Sequence, residues 1–76
     1  MKHGIAFESA CEALFDPFVC YLKTESIGGE NRDAVVGMTN NWQVLYVVQT
    51  IRDGDIFRII SARRATKQER KDYEQQ

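Results

Sequence analysis

Two turn signals, Asn40-Asn41 and Asp53-Gly54, punctuate the middle of this chain and divide it into three runs with the residue choice of β-strands. From Asp33 to Thr39, Ala34, Val36 and Met38 alternate with Val35 and Gly37, which suits a strand whose glycine permits a close approach or a bulge. Asparagine tolerates the positive φ of a tight turn, so Asn40-Asn41 is expected to reverse the chain into Trp42–Gln49. That run is apolar on both faces and reads as a central strand. Asp53-Gly54 is the strongest hairpin signal, flanked by Ile51 and by the run Asp55–Ala62. Three antiparallel strands in succession follow.

Upstream, Phe7, Ala10, Cys11, Leu14 and Phe15 fall on one face of a short amphipathic helix, with Glu8 and Glu12 on its outer side. Asp16-Pro17 ends it, because proline disfavours helical geometry at the preceding residue. Phe18–Leu22 reads as a strand, and the polar stretch carrying Gly28-Gly29 as a loop. Downstream, Thr66-Lys67-Gln68-Glu69 matches a capping box and starts a second helix that runs toward Tyr73. The expectation is an α+β domain in which helices pack on a small twisted antiparallel sheet of about four strands. No repeat, low-complexity tract or linker divides the 76 residues, so residues 1–76 read as one domain.

Hydrophobic residues make up 43% of the chain and charged ones 28%, the balance of a folded globular domain. No apolar run approaches the length of a membrane span, and charge interrupts the first residues too early for a secretory signal, so the chain reads as cytoplasmic. Cys11 and Cys20 are then expected as reduced thiols, and neither has zinc-like spacing to another ligand, so neither a metal nor a cofactor is expected. The net charge of -1 hides an uneven distribution. Arg58, Arg63, Arg64, Lys67, Arg70 and Lys71 are six of the ten basic residues, in a stretch whose only acid is Glu69.

Strand alternation puts Arg58 on the face of Ile56 and Ile60. It is either an edge arginine paired with Glu30 or Asp55, or an anion site for phosphate, and the residues leave both readings open. Arg63-Arg64 lies just before the Thr66 cap, where unpaired amides and the helix dipole favour an anion, so both guanidinium groups are candidates to converge there on one phosphate. A solubilising basic patch is the alternative. His3 is the lone histidine, a proton carrier or simply exposed. Glu30 and Arg32 could join a site or form a cross-strand ion pair. Tyr73 lies one turn after Glu69, placed to pack its ring while its hydroxyl reaches a polar partner. Trp42, Tyr46 and Phe57 read as core or interface aromatics.

The run Arg58–Glu74, with Arg58-Ile59-Ile60-Ser61-Ala62-Arg63-Arg64-Ala65-Thr66 at its head, resembles the C-terminal signature of the BrnT family of bacterial ribonuclease toxins. Lys2-His3-Gly4, Phe15-Asp16-Pro17 and Gly29-Glu30-Asn31-Arg32 are similar to further segments of that family, so the resemblance spans almost the whole chain. It implies a RelE-like fold and a type II toxin that cuts RNA without a bound metal to inhibit translation. It also implies neutralisation by a BrnA-type antitoxin carrying a DNA-binding domain. Carried onto this chain, it gives Arg58 and Arg63 phosphate stabilisation, Glu30 or His3 proton transfer, and Arg64, Arg32, Lys67, Arg70 and Tyr73 contacts to RNA.

Members of that family usually begin with a further strand and most of a helix, of which Lys2-His3-Gly4 resembles only the tail. A sheet shortened in this way is expected to leave an edge open to self-association or to pairing with another chain. It also brings in a second reading, an inactive module that binds antitoxin or RNA through the same basic surface. A DNA-binding regulator has no support, since no helix-turn-helix pattern is visible.

Overall fold

The computed structural model describes residues 4–52 and 56–76. The chain runs α1 (Phe7–Leu14), β1 (Cys20–Ile27), β2 (Glu30–Met38), β3 (Val44–Arg52), β4 (Ile56–Arg64) and α2 (Lys67–Glu74). The strands form one sheet in the order β1-β2-β3-β4, every neighbouring pair antiparallel. The expected α+β architecture is the one adopted. His3 and the Asp53-Gly54 turn lie outside the described residues.

The first hairpin is longer than its apolar pattern indicates. Lys23, Thr24, Glu25 and Ser26 read as loop but belong to β1, and β2 already starts at Glu30. Gly28 and Gly29, with φ of 58° and 79°, form the two-residue turn between them, a geometry that needs positive φ at both central residues. Beyond Leu22 every residue of β1 is exposed, so no apolar alternation marks it as a strand.

The second turn differs in detail. Trp42, not an asparagine, takes the left-handed backbone, at φ 66°. Thr39 holds it there: its N–H donates to Gln43 O at 2.8 Å and its carbonyl accepts from Trp42 N at 3.1 Å. Its hydroxyl accepts from Asn41 N and Gln43 N, each at 3.2 Å. This is the three-residue hairpin loop in which a type I turn ends on a left-handed residue. The Trp42 side chain is 81% exposed and belongs to no core.

One close approach sets how α1 sits. A Cβ built on Gly37 of β2 would stand 2.0 Å from the Ala13 carbonyl oxygen, so helix and strand backbones touch there. Only alanine-sized side chains fit between them, and Ala10 and Ala13 are fully buried against Val35, Leu45, Val47 and Ala62. Phe7 and Phe15, expected on the buried face, are 57% and 70% exposed. On the opposite sheet face Val36 and Val44 pack with Tyr73 of α2. Cys11 and Cys20 are free, half-buried thiols.

Replacing Gly37 by alanine should therefore push α1 off the sheet and cost about 3 kcal/mol, at the upper end of overpacking penalties. Urea unfolding of the purified variant measures this, and a stability equal to the parent's would contradict the contact.

Candidate functional site

The start of α2 is capped by its own sequence. Glu69 N donates to Thr66 Oγ1 at 3.2 Å and Thr66 N donates to Glu69 Oε1 at 2.9 Å, the reciprocal box expected from the residues. Its far end is tied down by Asp16. Tyr73 OH donates to Asp16 Oδ2 at 2.5 Å, Met38 N donates to the same oxygen at 2.9 Å, and Phe18 N donates to Oδ1 at 3.0 Å. Burial pushes the Asp16 carboxyl up, but these three donors outweigh it and hold it below 3.8. Burial, with the Asp16 carboxylate, pushes the Tyr73 hydroxyl up to about 12. The helix thus closes over the Met38 and Val44 end of its sheet face, and no helix among the described residues covers the other, bare end.

Which side chains stand on that bare end depends on a bulge. Val48 pairs with Ser61 but Gln49 pairs with Ile59, which leaves Ile60 as an extra residue in β4. Uninterrupted alternation would put Arg58 and Arg63, an odd number of residues apart, on opposite faces. The extra residue brings them to the same one. A matching irregularity in β1, where Tyr21 pairs with Val35 and Lys23 with Ala34, sets Leu22 apart and turns Lys23 toward this face.

Directly paired residues share a face, so three rows cross the sheet. The outermost is Glu25, Arg32, Thr50 and Arg58; the middle one is Lys23, Ala34, Val48 and Ser61; the innermost is Cys20, Val36, Tyr46 and Arg63. Between the rows lies a depression of about 220 Å³ to which Lys23, Arg32, Tyr46 and Ser61 contribute. Arg58 is exposed, and no carboxylate among the described residues pairs with it; Asp55, one of its two expected partners, lies outside them. Glu30, two residues before Arg32 and on its face, places Oε1 3.7 Å from Arg32 Nε. Glu25 pairs instead with Lys23 at 2.8 Å.

Arg63 is held differently. Its Nη1 and Nη2 each donate to a separate Glu69 oxygen at 2.9 Å, Nη1 also donates to Arg64 O at 3.1 Å, and the guanidinium lies 4.1 Å from the Tyr46 ring centroid. Hydrogen bonding from Arg63 is the largest influence on Glu69 and holds its carboxyl below 4.5; reciprocally, Glu69 pushes the Arg63 guanidinium up. Arg63 stands about 13 Å from Arg58 along the sheet, four steps of roughly 3.3 Å.

The structure therefore brings together Glu30, Arg32 and Arg58 at the bare end, with Arg63 at the closed end of the same face. Arg64 is not with them. It pairs with Leu45, whose side chain lies in the core under α1, so Arg63 and Arg64 diverge and do not converge at the start of α2. Lys67 and Arg70 are exposed on α2. Tyr73 is buried and its hydroxyl is taken by Asp16, so it stands under the helix and away from the bare rows. Lys23, Tyr46 and Ser61 are the additions that sequence reasoning missed. Taking Gly28-Gly29 as a two-residue turn and counting back along the hairpin would have found Lys23 opposite the arginine strand. Ser61 needed the bulge, which no residue type announces.

Among the described residues no three His, Cys, Asp or Glu side chains lie close enough to hold a metal ion. No helix among them is long and apolar enough to cross a membrane.

Because Glu69 and Asp16 are depressed in the folded chain, the stability they add is whole above their ordinary values of 4.5 and 3.8 and is lost as pH falls through the lowered ones. Glu69→Gln should lose about 1 kcal/mol near neutrality, allowing for solvent screening of a partly exposed pair. Its stability should also decline less steeply than the parent's between about pH 5 and pH 3. Urea midpoints measured across that range check both, and identical pH slopes would contradict the pairing.

No protein of curated function matches the chain. A family model described as a ribonuclease toxin, BrnT, of type II toxin-antitoxin systems matches residues 1–69, a span that includes the whole sheet, the bare rows and the capping box of α2. With nine-tenths of its length in that match, the chain belongs to the BrnT family of ribonuclease toxins of type II toxin–antitoxin systems.

Proposed function

We propose that the bare end of the α2-side sheet face holds an RNA backbone and cuts it without a metal ion, and that this cleavage inhibits translation in the cytoplasm until an antitoxin covers the site. The observation that carries the reading is the row of Arg32 and Arg58, aligned across Thr50 by the bulge at Ile60. Two guanidinium groups on one row, with Lys23 on the next, suit a phosphodiester, whose non-bridging oxygens accept paired donors.

Metal-free RNA cleavage needs little else. The neighbouring 2′-hydroxyl attacks phosphorus, the bond to the 5′-oxygen breaks, and a cyclic phosphate and a free 5′-hydroxyl result. A base must take the 2′ proton and an acid must supply the 5′-oxygen. Glu30, whose carboxylate lies beside Arg32, is our candidate for one proton transfer, with His3 as the other. Arg58 and Arg32 stabilise charge on the phosphate. Arg63 already gives one N–H to each Glu69 oxygen and shares Nη1 with the Arg64 carbonyl, so it contributes to phosphate binding with its remaining donors and fixes the closed end of the tray. Arg64, on the α1 face, and Lys67 and Arg70, exposed on α2, lie outside the rows and add only long-range electrostatic attraction for RNA.

The antitoxin partner is of the BrnA type, with its own DNA-binding domain. A second reading, binding without cleavage, is favoured by two observations: Glu69 engages Arg63, and Asp16 takes the Tyr73 hydroxyl.

Single-stranded RNA incubated with the purified chain in excess chelator separates the readings. Cleavage that persists in chelator and leaves cyclic phosphate ends is expected. Arg58→Ala and Arg32→Ala should each keep the parent's circular dichroism and lose about a hundredfold in rate, the scale of removing one preorganised charge donor. Cleavage that needs added divalent cation, or variants as active as the parent, would overturn the assignment; binding without cutting would favour the second reading.

A further inference from the structure

The sheet has an outer edge that nothing among the described residues covers. β1 lies at the end of the strand order, and all its residues from Lys23 to Ile27 are exposed. The two-residue turn at Gly28-Gly29 closes on the Ile27↔Glu30 pair, and in such a hairpin that pair exchanges backbone hydrogen bonds. Alternation then directs the N–H and C=O of Glu25 toward β2 and those of Thr24 and Ser26 outward. The Thr24 hydroxyl does not compete for them, since it donates to Asp33 Oδ1 at 2.8 Å within the hairpin.

We propose that this edge is a self-pairing surface, at which two copies of the chain join antiparallel about Thr24 with each Lys23 facing Glu25 of the other copy. Charge decides both the occupant and the register. Lys23 and Glu25 flank Thr24 symmetrically, so a twofold axis at Thr24 sets opposite charges together twice. Moving the axis one residue either way sets Lys23 against Lys23 or Glu25 against Glu25. An edge lysine ordinarily blocks strand addition. Here it blocks the shifted registers and permits one. The existing contact between Lys23 and Glu25 at 2.8 Å, with side chains 58% and 51% exposed, is a solvent-screened pair that can exchange for the intermolecular one at little cost.

The backbone pairing joins the two sheets edge to edge and sets their rows of Glu25, Arg32 and Arg58 on one continuous face. The irregularity at Leu22 ends regular pairing on one side of the axis, so the paired stretch is short and the dimer is weak and concentration-dependent. The inference concerns β1 alone and does not depend on the RNA reading.

Sedimentation velocity at low ionic strength, from about 10 µM to about 1 mM protein, tests it over the range in which a small interface associates. The parent chain should pass from 8.8 kDa to twice that mass as concentration rises. Lys23→Glu and Glu25→Lys should each stay monomeric with unchanged circular dichroism. Mixed in equal amounts, the two variants should form a heterodimer, because each then meets opposite charge at both positions. Introducing Thr24→Pro into either one should abolish it by removing an outward N–H. A parent chain monomeric throughout overturns the proposal, as does a dimer indifferent to both single substitutions, which would point instead to the exposed Phe15, Phe18 and Trp42 surface. Failure of the mixture to associate would also overturn it.

Discussion

The carboxylate of Asp16 is the contact on which the layout of this small protein depends. It terminates α1, accepts from the end of β2 and takes the Tyr73 hydroxyl of α2, so one side chain fastens both helices to the same end of the sheet. The consequence is asymmetry. One face of the sheet lies under α1, while on the other α2 is the one helix among the described residues, and the half beyond it carries cationic side chains. In a chain of 76 residues little surface can be buried, and a polar clamp at the edge of the core substitutes for apolar area that is not there.

The open half acquires its chemistry from a departure from regular strand geometry. Without the extra residue at Ile60, Arg58 would face α1 while Arg63 faced α2, and the sheet would carry no row joining Arg32 to Arg58. Bulges re-aim side chains in this way at the cost of a local break in the ladder. Glu69 has a comparable double use. Its carboxylate completes the cap of α2 and grips Arg63 in two places, which fixes a guanidinium beside the Tyr46 ring and removes the freedom it would need to meet Arg64 at the helix start.

Much of this was readable from residue types. The meander follows from Asn40-Asn41 and the β-patterned runs around it, and the capping box at Thr66 is visible as a four-residue pattern with a single structural solution. The parts that were not readable share a physical cause. Lys23 to Ser26 form a strand with no buried face, so periodicity, which reports burial, cannot see them. The orientation of α1 turns on the absence of a side chain at Gly37, which lets Ala13 in and forces Phe15 out. Trp42 occupies a left-handed position where the neighbouring asparagines are the residues that propensity favours. Arg58, Arg63 and Arg32 stand out in the sequence as candidates, but their place on one sheet face, and their division between an open row and a carboxylate-locked wall, required the register.

The most direct measurement is the amide chemical-shift map of the chain bound to single-stranded RNA whose 2′-hydroxyls are methylated, so that it binds without being cut. Shifts should concentrate on Lys23, Arg32, Ser61 and Arg58 and fade toward α1. Shifts centred on Arg64 and the α1 face, or confined to Lys67 and Arg70 on the outside of α2, would show that the open rows are not where the nucleic acid lies.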